Sequence, residues 1–258
     1  MELMRVLVTF AVEAEFAPWR KLRKFDHMSL GPRGQSEFTQ LWETLIGDNC
    51  VSVYLTGMGR GLPSEAVEMR EAFFTSKLDL AISSGLAGAL KEGLKPGDLI
   101  APQKVRTLRN DANADSDLVF RERAIQQGAL PIETLITVDR IVPTAEEKAR
   151  LSFFGEAVDM ESAIVMSHFV AAAVPVLTIR AISDSADEDL PIDFDRCLTP
   201  QGAIKPMSLV NAIVRRPGKL PNLVRFGRQS NQAAQRLAGF LDKFIAALPV
   251  AYEKVATV

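Results

Sequence analysis

Short β-branched and aliphatic runs alternate along this chain with stretches in which apolar positions recur every three or four residues. Arg5 to Phe10 (RVLVTF) is one such run, the look of a buried strand. The spacing after it predicts a helix over 15–24 with Phe16, Trp19 and Leu22 on one side. Pro18 then falls in the first turn, where its missing N–H is tolerated, and Glu13 and Glu15 lie in the turn between strand and helix. Strands are expected from Phe38 to Ile46 and from Cys50 to Thr56, joined by Gly47-Asp48-Asn49. The second runs into Gly57-Met58-Gly59-Arg60-Gly61, and a helix starts near Pro63-Ser64 with Ala66, Met69 and Phe73 along one stripe.

Leu78 to Ser83 reads as the next central strand, ending in the glycine-rich turn Ser84-Gly85-Leu86-Ala87-Gly88. Leu99-Ile100-Ala101 follows the turn Pro96-Gly97-Asp98, and the polar stretch from Arg109 to Asp117 reads as a mobile loop. Beyond it the pattern predicts a strand over 135–138, helices over 145–153 and 160–173, and a buried strand over 174–182 that stops at Ser183-Asp184. Two helices, 208–214 and 220–248, follow Pro191. In the last, Leu237, Phe240, Leu241, Phe244, Ile245 and Leu248 keep helical spacing, so it packs on the body. Alternating strands and helices predict one α/β sandwich, without internal repeats.

The 258 residues suit one domain, and 47% apolar with 24% charged residues exclude a disordered or fibrous chain. Thirty basic against thirty-two acidic side chains leave a net charge of −2, which argues against nucleic-acid binding. Cys50 and Cys197 have neither CxxC spacing nor histidine neighbours, so neither a metal site nor a disulfide scaffold is expected. His27 and His168 have no partner motif and read as structural or surface residues, while Trp19 and Trp42 read as core. No apolar run is long enough to span a bilayer, and the start of the chain resembles no leader peptide, so a cytoplasmic protein is expected.

The candidate chemistry lies in three acidic residues near strand ends or helix starts: Glu15, Glu161 and Asp184. Ligand sites of α/β proteins form outside the carboxyl ends of strands. Taken singly, each reads equally as a solvated charge or a helix cap; their joint placement favours a site.

Four segments then resemble the nucleoside phosphorylase/nucleosidase superfamily that includes methylthioadenosine/S-adenosylhomocysteine nucleosidase. They are Ala11-Val12-Glu13-Ala14-Glu15, Ser84 to Leu90 with Pro96 to Ile100, Ala157-Val158-Asp159-Met160-Glu161-Ser162, and Arg180-Ala181-Ile182-Ser183-Asp184-Ser185-Ala186-Asp187. The resemblance covers roughly residues 5 to 190. It implies a single-domain three-layer α/β/α sandwich with a mixed central sheet over 1–258, with 208–248 as a C-terminal helical extension. It also implies an N-ribosyl hydrolase without cofactor or metal. Asp184 would protonate the purine N7, Glu161 would bind the ribose hydroxyls and sit near the cationic transition state, and Glu15 would orient and deprotonate the attacking water. Met160 would pack on the sugar, and Gly85, Leu86, Ala87, Ile141, Val142 and Ser183 would complete the substrate pocket.

Phosphorolytic relatives need cationic ligands for phosphate. The positions that supply an arginine and a serine in the trimeric phosphorylases hold Ser83 and Leu86 here, and Glu15 would repel phosphate. Water is therefore the expected nucleophile, although Arg60 in the Gly57–Gly61 turn could in principle supply a cation. Two departures limit the substrate. Ile141 stands where the methylthioadenosine enzymes carry a stacking aromatic, and Leu86 replaces a serine. The stretches Asp139 to Lys148 and Arg215 to Pro221 resemble the hopanoid-associated branch, whose members are described as phosphorylases or adenosylhopane nucleosidases. That branch implies a lipid at the 5′ carbon.

Between Arg215 and Lys243, seven basic residues face one acidic residue, Asp242. This stretch suits either peripheral contact with a membrane surface or an ordinary solvated helix face. A homo-oligomer is expected from the family. Two other readings fit less well. A dinucleotide site would need glycine where Leu62 stands, and a catalytically dead nucleoside-binding module is disfavoured by the joint presence of Glu15, Glu161 and Asp184.

Overall fold

A computed structural model describes residues 3–29, 40–57, 78–108, 113–192, 218 and 220–249. In chain order the elements are β1 (Arg5–Phe10), α1 (Glu13–Leu22), β2 (Asp26–Ser29), β3 (Gln40–Ile46), β4 (Asn49–Leu55), β5 (Leu80–Ala89), β6 (Leu99–Thr107) and β7 (Ala114–Asp115). There follow α2 (Leu118–Gln126), β8 (Leu130–Thr137), α3 (Ala145–Leu151), β9 (Ala157–Asp159), α4 (Ser162–Ala171), β10 (Val176–Asp184) and α5 (Leu220–Ala246).

The strands join in one mixed sheet, with β1 parallel to both β4 and β5, and β5 parallel to β10. β10 also pairs antiparallel with β6, which continues through β8 and β9 back to β5. The sheet thus curls until β5 meets both β9 and β10, bringing the ends of three strands around one point. The α/β class and mixed sheet agree with expectation; the curling had no signature in the pattern.

Apolar clusters cover both faces. On one, Phe10, Phe16 and Trp19 of β1 and α1 pack with Leu237, Leu241, Phe244 and Ile245 of α5. On the other, Val165, Met166 and Phe169 of α4 pack with Ile100, Leu135 and Val176. Both tryptophans are buried as expected. Fully burying each of these side chains contributes about 2 kcal/mol, which fixes α1 and α4 against the strands that carry the acidic residues.

Three expectations are corrected. α1 begins at Glu13, so Glu13 and Glu15 lie inside its first turn and Pro18 sits within the helix, where it removes the bond to the Ala14 carbonyl. Residues 84–88 form no turn: β5 runs through them to Ala89, because β10 pairs with it from Ala81 to Gly88 and β9 pairs with Gly88 and Ala89. β2, β7, β9 and α2 went unanticipated, being short or weakly patterned. The Met58–Ser64 turn and helix start and the helix over 208–214 lie outside the described residues, as do residues 109–112 of the loop expected over 109–117, whose remainder carries β7.

Candidate active site

β10 is buried along its whole length, yet it carries Thr178, Arg180, Ser183 and Asp184. Buried polar groups need partners, and those partners assemble two linked clusters along β5.

The first centres on Glu15. As the third residue of α1, it reaches back so that Oε2 accepts from the N–H groups of Ala11 (3.0 Å) and Val12 (3.3 Å). Its Oε1 accepts from Leu86 N–H at 2.8 Å, tying α1 to β5. Only 8% of the residue is exposed. Burial pushes its carboxyl above the ordinary value, opposed by the Arg180 charge and then by the three backbone donors. Gly85 has φ +142°, and a Cβ there would lie 2.3 Å from Arg180 Nη1 and 2.8 Å from Glu15 Oε1. Glycine is needed at this position because guanidinium and carboxylate both press on its backbone.

Arg180, opposite Gly85 on β10, gathers the acidic residues at the end of β9. Its Nη2 lies 2.7 Å from Asp159 Oδ2 and 3.8 Å from Glu161 Oε2. The guanidinium also donates to the hydroxyls of Ser162 and Ser83. Nη1 has no hydrogen-bond partner among the described residues. Asp159 is further held by Thr137 Oγ1 (2.6 Å) and Ser162 N–H (3.0 Å), which caps α4. Glu161 occupies the N-cap position of α4 and is buried, with Met160 half-buried beside it.

The second cluster centres on Asp184, which pairs with Gly88. Strand rise puts Gly88 about 10 Å from Gly85, so the two carboxylates are spaced along one strand. A Cβ at Gly88 would lie 3.1 Å from Asp184 Oδ2. The Ser183 hydroxyl lies 2.5 Å from Asp184 Oδ1 and 3.2 Å from the Ala87 carbonyl, and its single proton serves one of them at a time. Lys148 Nζ, on α3, stands 2.6 Å from Asp184 Oδ2.

The structure therefore places Glu15, Glu161, Gly85, Leu86, Ala87, Ser183 and Asp184 on adjoining strand and helix ends. Ile141 is half-buried, whereas Val142 packs with Leu90, Ile136 and Val158 in a small core. Among the described residues no acidic, cysteine and histidine group suited to a metal occurs, and no helix is long and apolar enough to cross a membrane. In α5, Arg225 pairs with Glu188 and Arg236 donates to the Gly97 carbonyl, so two residues of the basic stretch are already engaged. Arg180, Asp159, Ser162 and Lys148 were not assigned roles from the sequence. A charged residue inside an otherwise apolar strand was the available signal for Arg180; Lys148 had none, because its neighbours on α3 are charged too.

The chain belongs to the phosphorylase superfamily, whose family profile matches residues 5–246. The 5′-methylthioadenosine/S-adenosylhomocysteine nucleosidase of Haemophilus ducreyi is 28% identical over 68% of this chain and 84% of its own length. The Exiguobacterium enzyme of that name is 26% identical, again over 68% and 84%. Among solved structures, the corresponding Helicobacter pylori nucleosidase superposes with a TM-score of 0.67 at 20% identity, covering 95% of this chain and 99% of that one. Futalosine hydrolase from H. pylori reaches 0.69 at 19% identity, with 95% and 100% covered. These structures share the fold.

Proposed function

We propose that the protein hydrolyses the N-glycosidic bond of a 5′-substituted purine nucleoside and releases adenine. The observation that carries this reading is Glu15: a buried carboxyl, raised above its ordinary value and fixed by three N–H donors beside a glycine strand. Such a group suits a general base for water. Water oxygen bonds to C1′ while the bond to N9 breaks, with its electron pair leaving on the base. Asp184 delivers a proton to N7, and Glu15 takes one from the water. Glu161 binds the ribose hydroxyls and, with Asp159, keeps negative charge near the cationic sugar. Met160, Leu86, Ala87 and Ile141 supply apolar walls, and Val142 supports that wall from behind.

Water is preferred over phosphate because Arg180 is already engaged by Asp159 and Glu161, while Glu15 adds negative charge. The names of the similar nucleosidases and hydrolase support the same reaction class. For the 5′ substituent we favour a large lipid, as in adenosylhopane, from the aliphatic Leu86 and Ile141 and the likeness of residues 139–148 to that branch. A homo-oligomer remains part of this reading.

Adenine release from adenosylhopane, methylthioadenosine, S-adenosylhomocysteine and futalosine, with and without phosphate, tests it. Phosphate-independent release is expected, fastest from the lipid-bearing nucleoside. Strict phosphate dependence would make the protein a phosphorylase, and binding without release would make it a nucleoside-binding module.

A further inference from the structure

We infer that Lys148 is a positioning residue for the departing base, acting through Asp184. The inference rests on Asp184 being the acid of the proposed hydrolysis. Lys148 is fully buried on α3, a site that suits an ammonium only when each of its N–H groups finds an acceptor. Its ammonium has three N–H bonds and finds three acceptors: Asp184 Oδ2 at 2.6 Å and the carbonyls of Ser185 and Glu188, both at 2.7 Å. No N–H is left over for a substrate, so Lys148 works on the base only by way of the carboxyl it holds.

The surrounding contacts fix this arrangement. Leu190 N–H donates to the Pro143 carbonyl at 2.8 Å, and Ala145 N–H donates to Asp189 at 2.8 Å. The segment after β10 is thereby fastened to the start of α3, and Lys148 closes the same clamp from one turn further on. Asp184 is held from two sides, by Lys148 on Oδ2 and Ser183 on Oδ1. A carboxyl group has about four such positions on its two oxygens, so one on each oxygen remains open, and the acid's proton occupies one of these. The orientation left to the acid is therefore set by the ammonium and the hydroxyl. When the proton of Asp184 moves to N7 and the C1′–N9 pair leaves with the base, the carboxylate that remains is stabilised by the charge behind it.

A series of nucleosides sharing one sugar, with purine leaving groups of graded basicity, tests this on the full-length protein. The parent, Lys148→Met, Lys148→Gln and Asp184→Asn are compared by the slope of log kcat against leaving-group pKa. Lys148→Met is expected to lower kcat on the adenine nucleoside by about 100-fold, the scale of general-acid catalysis, with KM little changed. Its slope should steepen, so that the least basic leaving groups suffer least, and Lys148→Gln should follow it. Each slope is a ratio within one preparation, so partial loss of folded enzyme cancels. Equal loss across the series, or no loss, in both lysine variants would overturn the inference while Asp184→Asn still steepens the slope. A flat response in Asp184→Asn would instead remove the acid assignment on which the inference rests.

Discussion

Gly85 and Arg180 face each other across the parallel β5–β10 pair, and the guanidinium fills the space a side chain at 85 would take. Glu15 approaches the same point from α1. One absent Cβ therefore lets three elements converge: the helix carrying the proposed base, the strand that binds it, and the strand whose end carries the proposed acid.

Replacing Gly85 by alanine should disturb all three. The backbone there has φ +142°, a region that L residues rarely adopt, and the added methyl meets Arg180 Nη1 at 2.3 Å. Strain of this kind costs about 1–3 kcal/mol. The expected result for Gly85→Ala is a loss of that size in urea unfolding, together with a fall in kcat of at least about tenfold from a misplaced base. A variant that unfolds and turns over like the parent would show that neither contact constrains the strand.

Arg180 faces carboxylates on two sides, with Asp159 and Glu161 beyond it and Glu15 toward α1. Removing one member of a buried charge group leaves the others uncompensated, at a cost of about 3–5 kcal/mol. Arg180→Met should lose that much stability. It should also push the Glu15 carboxyl further up, because Arg180 is the largest influence holding it down. In a pH–rate profile the acid limb should then move to higher pH. An unmoved limb would mean that Glu15 does not feel the guanidinium.

β1, β4 and α5 are legible because burial writes itself into apolar spacing: the run Arg5 to Phe10 is β1 to the residue, the strand expected over 50–56 is β4 within one, and the helix expected over 220–248 is α5 within two. The acidic residues were legible because three of them stood at element ends. What failed had a different physical cause. Ser84 to Gly88 looked like a turn from its glycines, yet those glycines serve close packing by Arg180, Glu15 and Asp184, which a linear pattern does not contain. Arg180 draws on Ser162 and Ser83, 18 and 97 residues away, and Lys148 on Ser185 and Glu188, 37 and 40 residues away. β9, with three residues, is too short to show a period, although it delivers Asp159 and the approach to Glu161.

The raised carboxyl of Glu15 fixes the sign of a pH effect on stability. Its folded form holds the proton more tightly than the unfolded chain, whose value is near 4.5. The resulting stabilisation is fully present below 4.5 and is lost as pH rises through the folded value. Glu15→Gln cannot titrate, so the stability of the parent relative to the variant should decline as pH rises above 4.5 and then level off. Thermal unfolding of both proteins across pH measures this. The acid limb of the parent's pH–rate profile should fall in the same interval and be absent from any residual activity of Glu15→Gln. A relative stability that rises with pH would mean that the site favours the charged form.

Asp242 shows the opposite sign. Arg23 donates to it twice, from Nε at 2.7 Å and Nη2 at 2.9 Å, and the Trp19 indole N–H adds a third bond at 3.1 Å. The pair fastens α1 to α5 across 219 residues of sequence, and both side chains are largely shielded, at 33% and 26% exposed. The Arg23 hydrogen bonds hold the Asp242 carboxyl below its usual 3.8, outweighing the opposing effect of partial burial. Its contribution is therefore present above 3.8 and lost as pH falls through the lower folded value. Asp242→Ala should cost about 2 kcal/mol at neutral pH, the scale of hydrogen bonds to a charged group, measured by urea unfolding. The gap between parent and variant should narrow in acid below 3.8. If the two proteins are equally stable at neutral pH, α5 holds α1, and with it Glu15, through apolar packing alone.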